Sequence, residues 1–182
     1  MLLHLVRGEI NPVRQVMSEY ANGSHGLIMT VVFYAFGLSS LALAFRLRRA
    51  INRPWAKNLI PALLGLAGVS LVASGVFEVE RPLVPDTLEE IIHSNASVAG
   101  FVLLITTMLL FSVACYSDAR WRPFRFKSMI LAVAATAAAV ATFLTAQTGW
   151  SGAVQRFLGF AVVTWLVITA LHVRSKAYSQ AR

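Results

Sequence analysis

The chain has 182 residues, 57% of them hydrophobic and only 13% charged, with a formal net charge of +8. A soluble domain carries about 25% charged residues, so this composition excludes an ordinary water-soluble fold and makes lipid the solvent of most of the surface. The basic residues sit in short clusters between long uncharged runs, without the basic stripe of a nucleic-acid-binding face, so nucleic acid is not an expected partner.

Residues 1–25 contain Arg7, Glu9, Arg14 and Glu19, so they hold no apolar core of signal-peptide length. Asn11-Pro12 reads as an N-cap followed by proline at the first helical position. Val6, Ile10, Val13, Met17 and Tyr20 then recur every three to four residues and form one apolar stripe. The expectation is an amphipathic helix lying on the outer membrane surface, stopped by Asn22-Gly23 before Ser24-His25 leads into the first span.

Crossing the hydrocarbon core takes roughly 20 mostly apolar residues. Four uncharged runs meet or approach that length, at 27–45, 58–77, 94–117 and 128–155; a fifth, 153–173, is interrupted near its start by Arg156. Backbone groups in hydrocarbon must be satisfied within their own segment, which selects helices. The runs lack the alternation of a membrane β-barrel. The expected fold is therefore all-α, an integral membrane bundle of five transmembrane helices with an outer amphipathic N-terminal helix. Residues 1–25 form the outer segment, 26–174 the bundle and 175–182 a cytoplasmic tail. The single cysteine, Cys115, falls inside the third run, which excludes an intrachain disulfide.

Lysine and arginine set the orientation. With the N-terminus outside, twelve of the sixteen basic residues lie on the inner side, in 46–57, 120–127 and 174–182, accompanied by Asp118. The outer side keeps Arg7, Arg14, Arg81 and Arg156 with the other seven acids. Every loop agrees, so the chain is expected in the cell membrane with its C-terminus cytoplasmic and membrane lipids as partners. Trp55, Trp121 and Trp150 fall at span ends, where an indole rests at headgroup level. Ala62, Gly65, Gly68 and the alanine-rich 132–141 stretch are the expected close helix contacts.

Polar residues with potential chemistry converge on the outer side. Thr87 and Glu90 form a capping box, so a helix is expected to start at Leu88 and run into the third span. On it Glu89 and His93 stand four apart on one face, an arrangement suited to proton transfer or metal binding, with Glu80 and Asp86 as further candidates from the preceding loop. Arg156 is expected to pair with Glu78, Glu80, Asp86 or Glu89, or to hold an anionic headgroup, because an unpaired charge within a span is costly. His25 and His93 begin the first and third spans at similar depth and are the candidates for haem or metal ligation, although no HxxxH or HExxH spacing supports them. His172 reads as a helix C-terminal cation, and Ser18, Ser24, Ser39 and Ser40 carry no mark of a nucleophile.

Four segments together resemble a bacterial and archaeal membrane family known as domain of unknown function 998. Asn11-Pro12 with Met17-Ser18-Glu19-Tyr20 is similar to its first outer loop. Gly75-Val76-Phe77-Glu78-Val79-Glu80-Arg81-Pro82 is similar to its Phe-Pro-x-Asp-Pro turn, with Glu78 in place of proline and Glu80 in place of aspartate. His93 with Ala96, Gly100 and Phe101 resembles the head of its next span, and Gly152, Gln155-Arg156 and Trp165 resemble its final span. The family is of six-span type, so the resemblance implies that this chain lacks the first span or that its start lies upstream of Met1. It implies a fold and a membrane address but no activity or cofactor.

The leading functional expectation is a non-enzymatic bundle that associates through its outer face with lipid, with other membrane proteins or with copies of itself. Behind it stand a lipid-acting or metal-dependent enzyme built on Glu80, Asp86 and His93 with Arg156 and Glu89 as ligand-binding groups, a b-haem electron carrier, and a small transporter.

Overall fold

The computed structural model describes residues 7–23, 25–77 and 87–180, the last five as backbone only. Among the described residues, five helices are long and apolar enough to cross a membrane: α1 (Gly26–Ala50), α2 (Pro54–Val76), α3 (Leu88–Ser117), α4 (Arg125–Leu144) and α5 (Ser151–Gln180). Their starts follow local chemistry. Pro54 opens α2, where the missing N–H is no loss. Thr87 accepts a hydrogen bond from the Glu90 N–H at 3.2 Å and so caps α3 as expected. α5 continues to Gln180, past the point where a tail was expected to begin.

Each helix packs against the next in sequence, and α1 also meets α5. In lipid, burying an apolar side chain brings little transfer energy, so such packing depends on close fit and internal hydrogen bonds. Gly37 of α1 and Gly68 of α2 supply the closest fit. A Cβ at Gly37 would lie 2.6 Å from the Gly68 carbonyl oxygen, and one at Gly68 would lie 2.8 Å from the Gly37 oxygen. Gly68 thus fills its expected role. Gly65 faces open space and Ala62 is exposed, so neither makes the contact expected of it. Within the 132–141 stretch, Ala132, Ala135 and Ala138 are buried.

The hydrogen-bonded centre joins three helices. The Trp165 indole N–H donates to the Ser128 hydroxyl at 2.8 Å, Ser128 and Ser112 hydroxyls are 2.7 Å apart, and Ser112 donates to the Met108 carbonyl at 2.7 Å. The chain of donors runs from α5 through α4 to α3 and ends on a carbonyl, so all of its hydrogens are used.

At the arginine-rich end, Arg120 makes two bonds to the Asp118 carboxylate, at 3.2 and 2.9 Å, and one to the Ala50 carbonyl at 3.1 Å. It thereby ties the α3–α4 loop to the C-terminus of α1. Arg120 holds the Asp118 carboxyl below the ordinary carboxylate range, and Asp118 raises the Arg120 pKa in return. Trp121 departs from its expected place. It is only 4% exposed and packs edge-on against Phe111 at 4.9 Å, whereas Trp55 and Trp150 are 46% and 61% exposed. His172, expected as a terminal cation, lies against the Trp121 and Phe124 rings at 4.9 and 5.1 Å.

Candidate functional site

The other end of the bundle gathers the start of α1, the end of α2, the starts of α3 and α5, and residues 7–23. These N-terminal residues do not form one surface helix. Only Met17–Ala21 is helical, as a short 3-10 segment. Asn11 still caps, its Oδ1 accepting from the Val13 N–H at 2.9 Å, but the turn it begins is not propagated. The reason lies in the carbonyls of residues 13–15, which are drawn onto α5. The Val13 oxygen accepts from the Ala153 N–H at 3.0 Å, the Arg14 oxygen from the Ser151 hydroxyl at 2.9 Å, and the Gln15 oxygen from Arg156 Nη1 at 2.9 Å. These residues cap the exposed N–H groups and positive end of the last helix. Gly152 permits the approach, since a Cβ there would lie 2.3 Å from the Gln15 oxygen.

Of the apolar stripe, Ile10, Met17 and Tyr20 face protein, while Val13 is 39% exposed. Ile10 and Tyr20 are buried with Met29 and Phe33 of α1, and Met17 packs beside them. Val6 of the same stripe lies outside the described residues. The Met17 N–H also donates to Gln155 Oε1 at 2.6 Å, so the segment is fastened to α5 at several points. Its other end is held by Arg7, which pairs with Glu9 and donates to the Tyr20 and Asn22 carbonyls. That contact keeps the Glu9 carboxyl below its usual range.

Of the acids expected to pair with Arg156, only Glu89 lies among the described residues, and it makes no bond to Arg156. Arg156 Nη1 donates to the Gln15 and Gly152 carbonyls, at 2.9 and 2.8 Å, and the guanidinium lies over the Tyr20 ring at 5.5 Å. Glu78, Glu80, Arg81 and Asp86 lie outside the described residues, as does Ser24.

His93 is buried, and Nδ1 lies 2.7 Å from the Ser74 carbonyl and 3.1 Å from that of Phe77. Both partners are acceptors, so Nδ1 carries the hydrogen and His93 caps the last turn of α2. Its Nε2 lies 3.5 Å from the Ser97 hydroxyl, which bonds Ser74 Oγ at 3.1 Å, and Phe33 meets the ring edge-on at 5.4 Å. Glu89 is exposed and makes no bond to His93, so the expected carboxylate–imidazole pair is not formed. His25 is exposed with φ 68° as the N-cap of α1. Among the described residues no three His, Cys, Asp or Glu side chains are grouped as metal ligands. Ser40 donates to the Phe36 carbonyl of its own helix.

Between the N-terminal segment, α1 and α2 lies a cleft of about 440 Å³. Asn22, His25, Thr30 and Ser74 supply polar lining, and Leu27, Phe33 and Phe77 supply apolar lining. Among these, His25 is the candidate site residue from sequence, whereas Asn22 and Phe77 figure there only as a helix stop and as part of the family turn. Thr30 and Ser74 carry no signal at that level, because the cleft is made where residues 21–33 meet 74–77, two stretches distant in the chain.

Fold and site together define a five-helix membrane bundle whose N-terminal residues cap its last helix and wall a mixed polar and apolar cleft. The chain belongs to the family described as Protein of unknown function (DUF998), whose model matches residues 1–172. Neither a curated protein nor a solved structure matches it.

Proposed function

We propose that the protein is a non-enzymatic bundle of the cell membrane that binds an amphiphile at the end carrying its N-terminus, and that this end faces outward. The cleft carries the reading. At about 440 Å³ it falls in the ordinary size range of small-molecule sites, roughly 300–1,000 Å³, and it offers polar groups beside an apolar wall. Leu27, 79% exposed at its border, gives the apolar part of a ligand continuity with surrounding lipid. The concentration of arginine and lysine at the opposite end supports the orientation. Among the described candidates, the Ser40 hydroxyl is used by its own helix, and the Nδ1–H of His93 by two backbone carbonyls, which fixes its ring in the protein.

The test is mass spectrometry of amphiphiles retained by protein extracted directly into lipid nanodiscs. A bound species is expected with the wild type, and Thr30→Trp, which fills the cleft, is expected to lose it while keeping the same size-exclusion profile. Equal retention by both proteins, or none by the wild type, refutes the reading.

A further inference from the structure

Arg156 does not line the cleft, and its chemistry points to a second site at the same end of the bundle. Of its nitrogens, Nη1 is used by the Gln15 and Gly152 carbonyls. Nε and Nη2 are buried and have no partner among the described residues. These two nitrogens share one edge of the guanidinium, and their parallel N–H groups match two oxygens of a single oxyanion. Charged donors withdrawn from water without an acceptor are strongly unfavourable, so the edge is chemically unsaturated.

The described acids at this end do not saturate it. Glu9 pairs with Arg7. Glu19 accepts from Gln15 Nε2 at 2.7 Å and from the Val16 N–H at 3.1 Å. Glu89 and Glu90 lie in the first turn of α3 and make no bond to Arg156. The surroundings add positive potential, because Arg156 stands in the second turn of α5, close to the positive end of that helix.

We propose that Arg156 anchors a phosphate site, Nε and Nη2 holding two oxygens of one phosphate group. Tyr20 and residues 12–17 are its cover and move aside for entry. Phosphate suits the place better than a carboxylate ligand. The start of a span lies at the depth of lipid headgroup phosphates, and each phosphate offers a pair of oxygens to the arginine edge. A phospholipid headgroup and free inorganic phosphate present the same chemistry.

Thermal unfolding of wild type and Arg156→Lys separates these sources. One arm adds inorganic phosphate, against chloride at equal ionic strength, to protein in a phosphate-free detergent. The other compares nanodiscs of phosphatidylglycerol with nanodiscs of a phosphate-free digalactosyl lipid. Phosphate in at least one arm is expected to raise the wild-type Tm. A response to inorganic phosphate identifies a soluble ligand, and a response to phosphatidylglycerol alone identifies the headgroup. Arg156→Lys keeps the charge but loses the two-pronged edge, and its apparent affinity is expected to fall about tenfold, the loss of one charge-assisted hydrogen bond. No wild-type response in either arm overturns the proposal, as does an equal response from Arg156→Lys. The wild-type arms decide the matter alone if that variant does not fold. If Glu80→Gln or Asp86→Asn destabilises the protein as much as Arg156→Lys, and the double variant adds nothing, the edge belongs to an internal ion pair and the proposal fails.

Discussion

Replacing Gly37 by alanine tests the packing of α1 on α2 most directly. The new Cβ would begin 2.6 Å from the Gly68 carbonyl oxygen and 2.6 Å from Val72 Cγ2, whereas ordinary contact begins at 3.4 Å. Relief needs about 0.8 Å of separation, and the oxygen belongs to a helix backbone that cannot rotate away as a side chain does. Overpacking of this kind costs about 1–3 kcal/mol, and the better helix propensity of alanine returns about 1 kcal/mol, which leaves a net loss of up to about 2 kcal/mol. Gly65→Ala is the control: it lies on the same pair's second helix, three residues from Gly68, but a Cβ there meets nothing within 4 Å. Equilibrium unfolding by steric trapping in mixed micelles is expected to show Gly37→Ala less stable than wild type and Gly65→Ala equal or more stable. Gly68→Ala should reproduce the Gly37→Ala effect, and the double variant should fall short of additivity because both probe one contact. Gly37→Ala matching the wild type, or Gly37→Ala and Gly65→Ala responding alike, refutes the glycine contact.

Ser128→Ala leaves the buried Trp165 N–H without its acceptor and is expected to cost about 1 kcal/mol, near the usual worth of an interhelical hydrogen bond in lipid. The same unfolding assay reads it, and an unchanged stability counts against the three-helix hydrogen-bond chain. Asp118→Asn removes the bridge to Arg120 and should lower stability at pH 7 by up to about 1 kcal/mol, since the pair is partly open to solvent. Because the folded carboxyl titrates below its unfolded value of about 3.9, its contribution is complete above that value and disappears as pH falls through the lowered one. The gap between wild type and Asp118→Asn should therefore close in acid, and a gap that stays constant refutes the assignment. Gly152→Ala puts a Cβ 2.3 Å from the Gln15 oxygen and should lift the N-terminal segment from α5, read as faster hydrogen exchange at the Met17 amide. Exchange as slow as in wild type would mean that this amide is protected by something other than α5.

The spans were legible because absence of charge over a run of sufficient length is a property of the chain alone. The Thr87 cap was legible for the same reason, since its partner is three residues away. Errors arose where a side chain had to choose between equivalent surroundings. Trp121 has the flanks of an interfacial tryptophan, but the rings of Phe111, Phe124 and His172 enclose it. Gly65 and Gly68 are the same residue on the same helix, and only the facing Gly37 distinguishes them. His93 and Arg156 stand out in the sequence as polar groups within apolar spans, and the topology puts both at one end of the bundle. Their partners did not, because both bond to backbone carbonyls, and a carbonyl has no residue type to read. The apolar stripe of 10–20 was correctly seen, yet periodicity does not say whether its face meets lipid or protein.

The fastening of Met17 to Gln155 spans 138 residues, and it joins nearly the earliest part of the chain to its last helix. At about 5–20 residues per second, roughly 7–28 s of synthesis separate the two partners. During that interval residues 12–17 have no helix to cap, and the hydrogen bonds that fasten them to α5 cannot form. The N-terminal segment thus reaches its final place only as the last helix enters the membrane. Nascent chains arrested before α5 should be inserted but leave these N-terminal residues open to protease, and completion of α5 should close them.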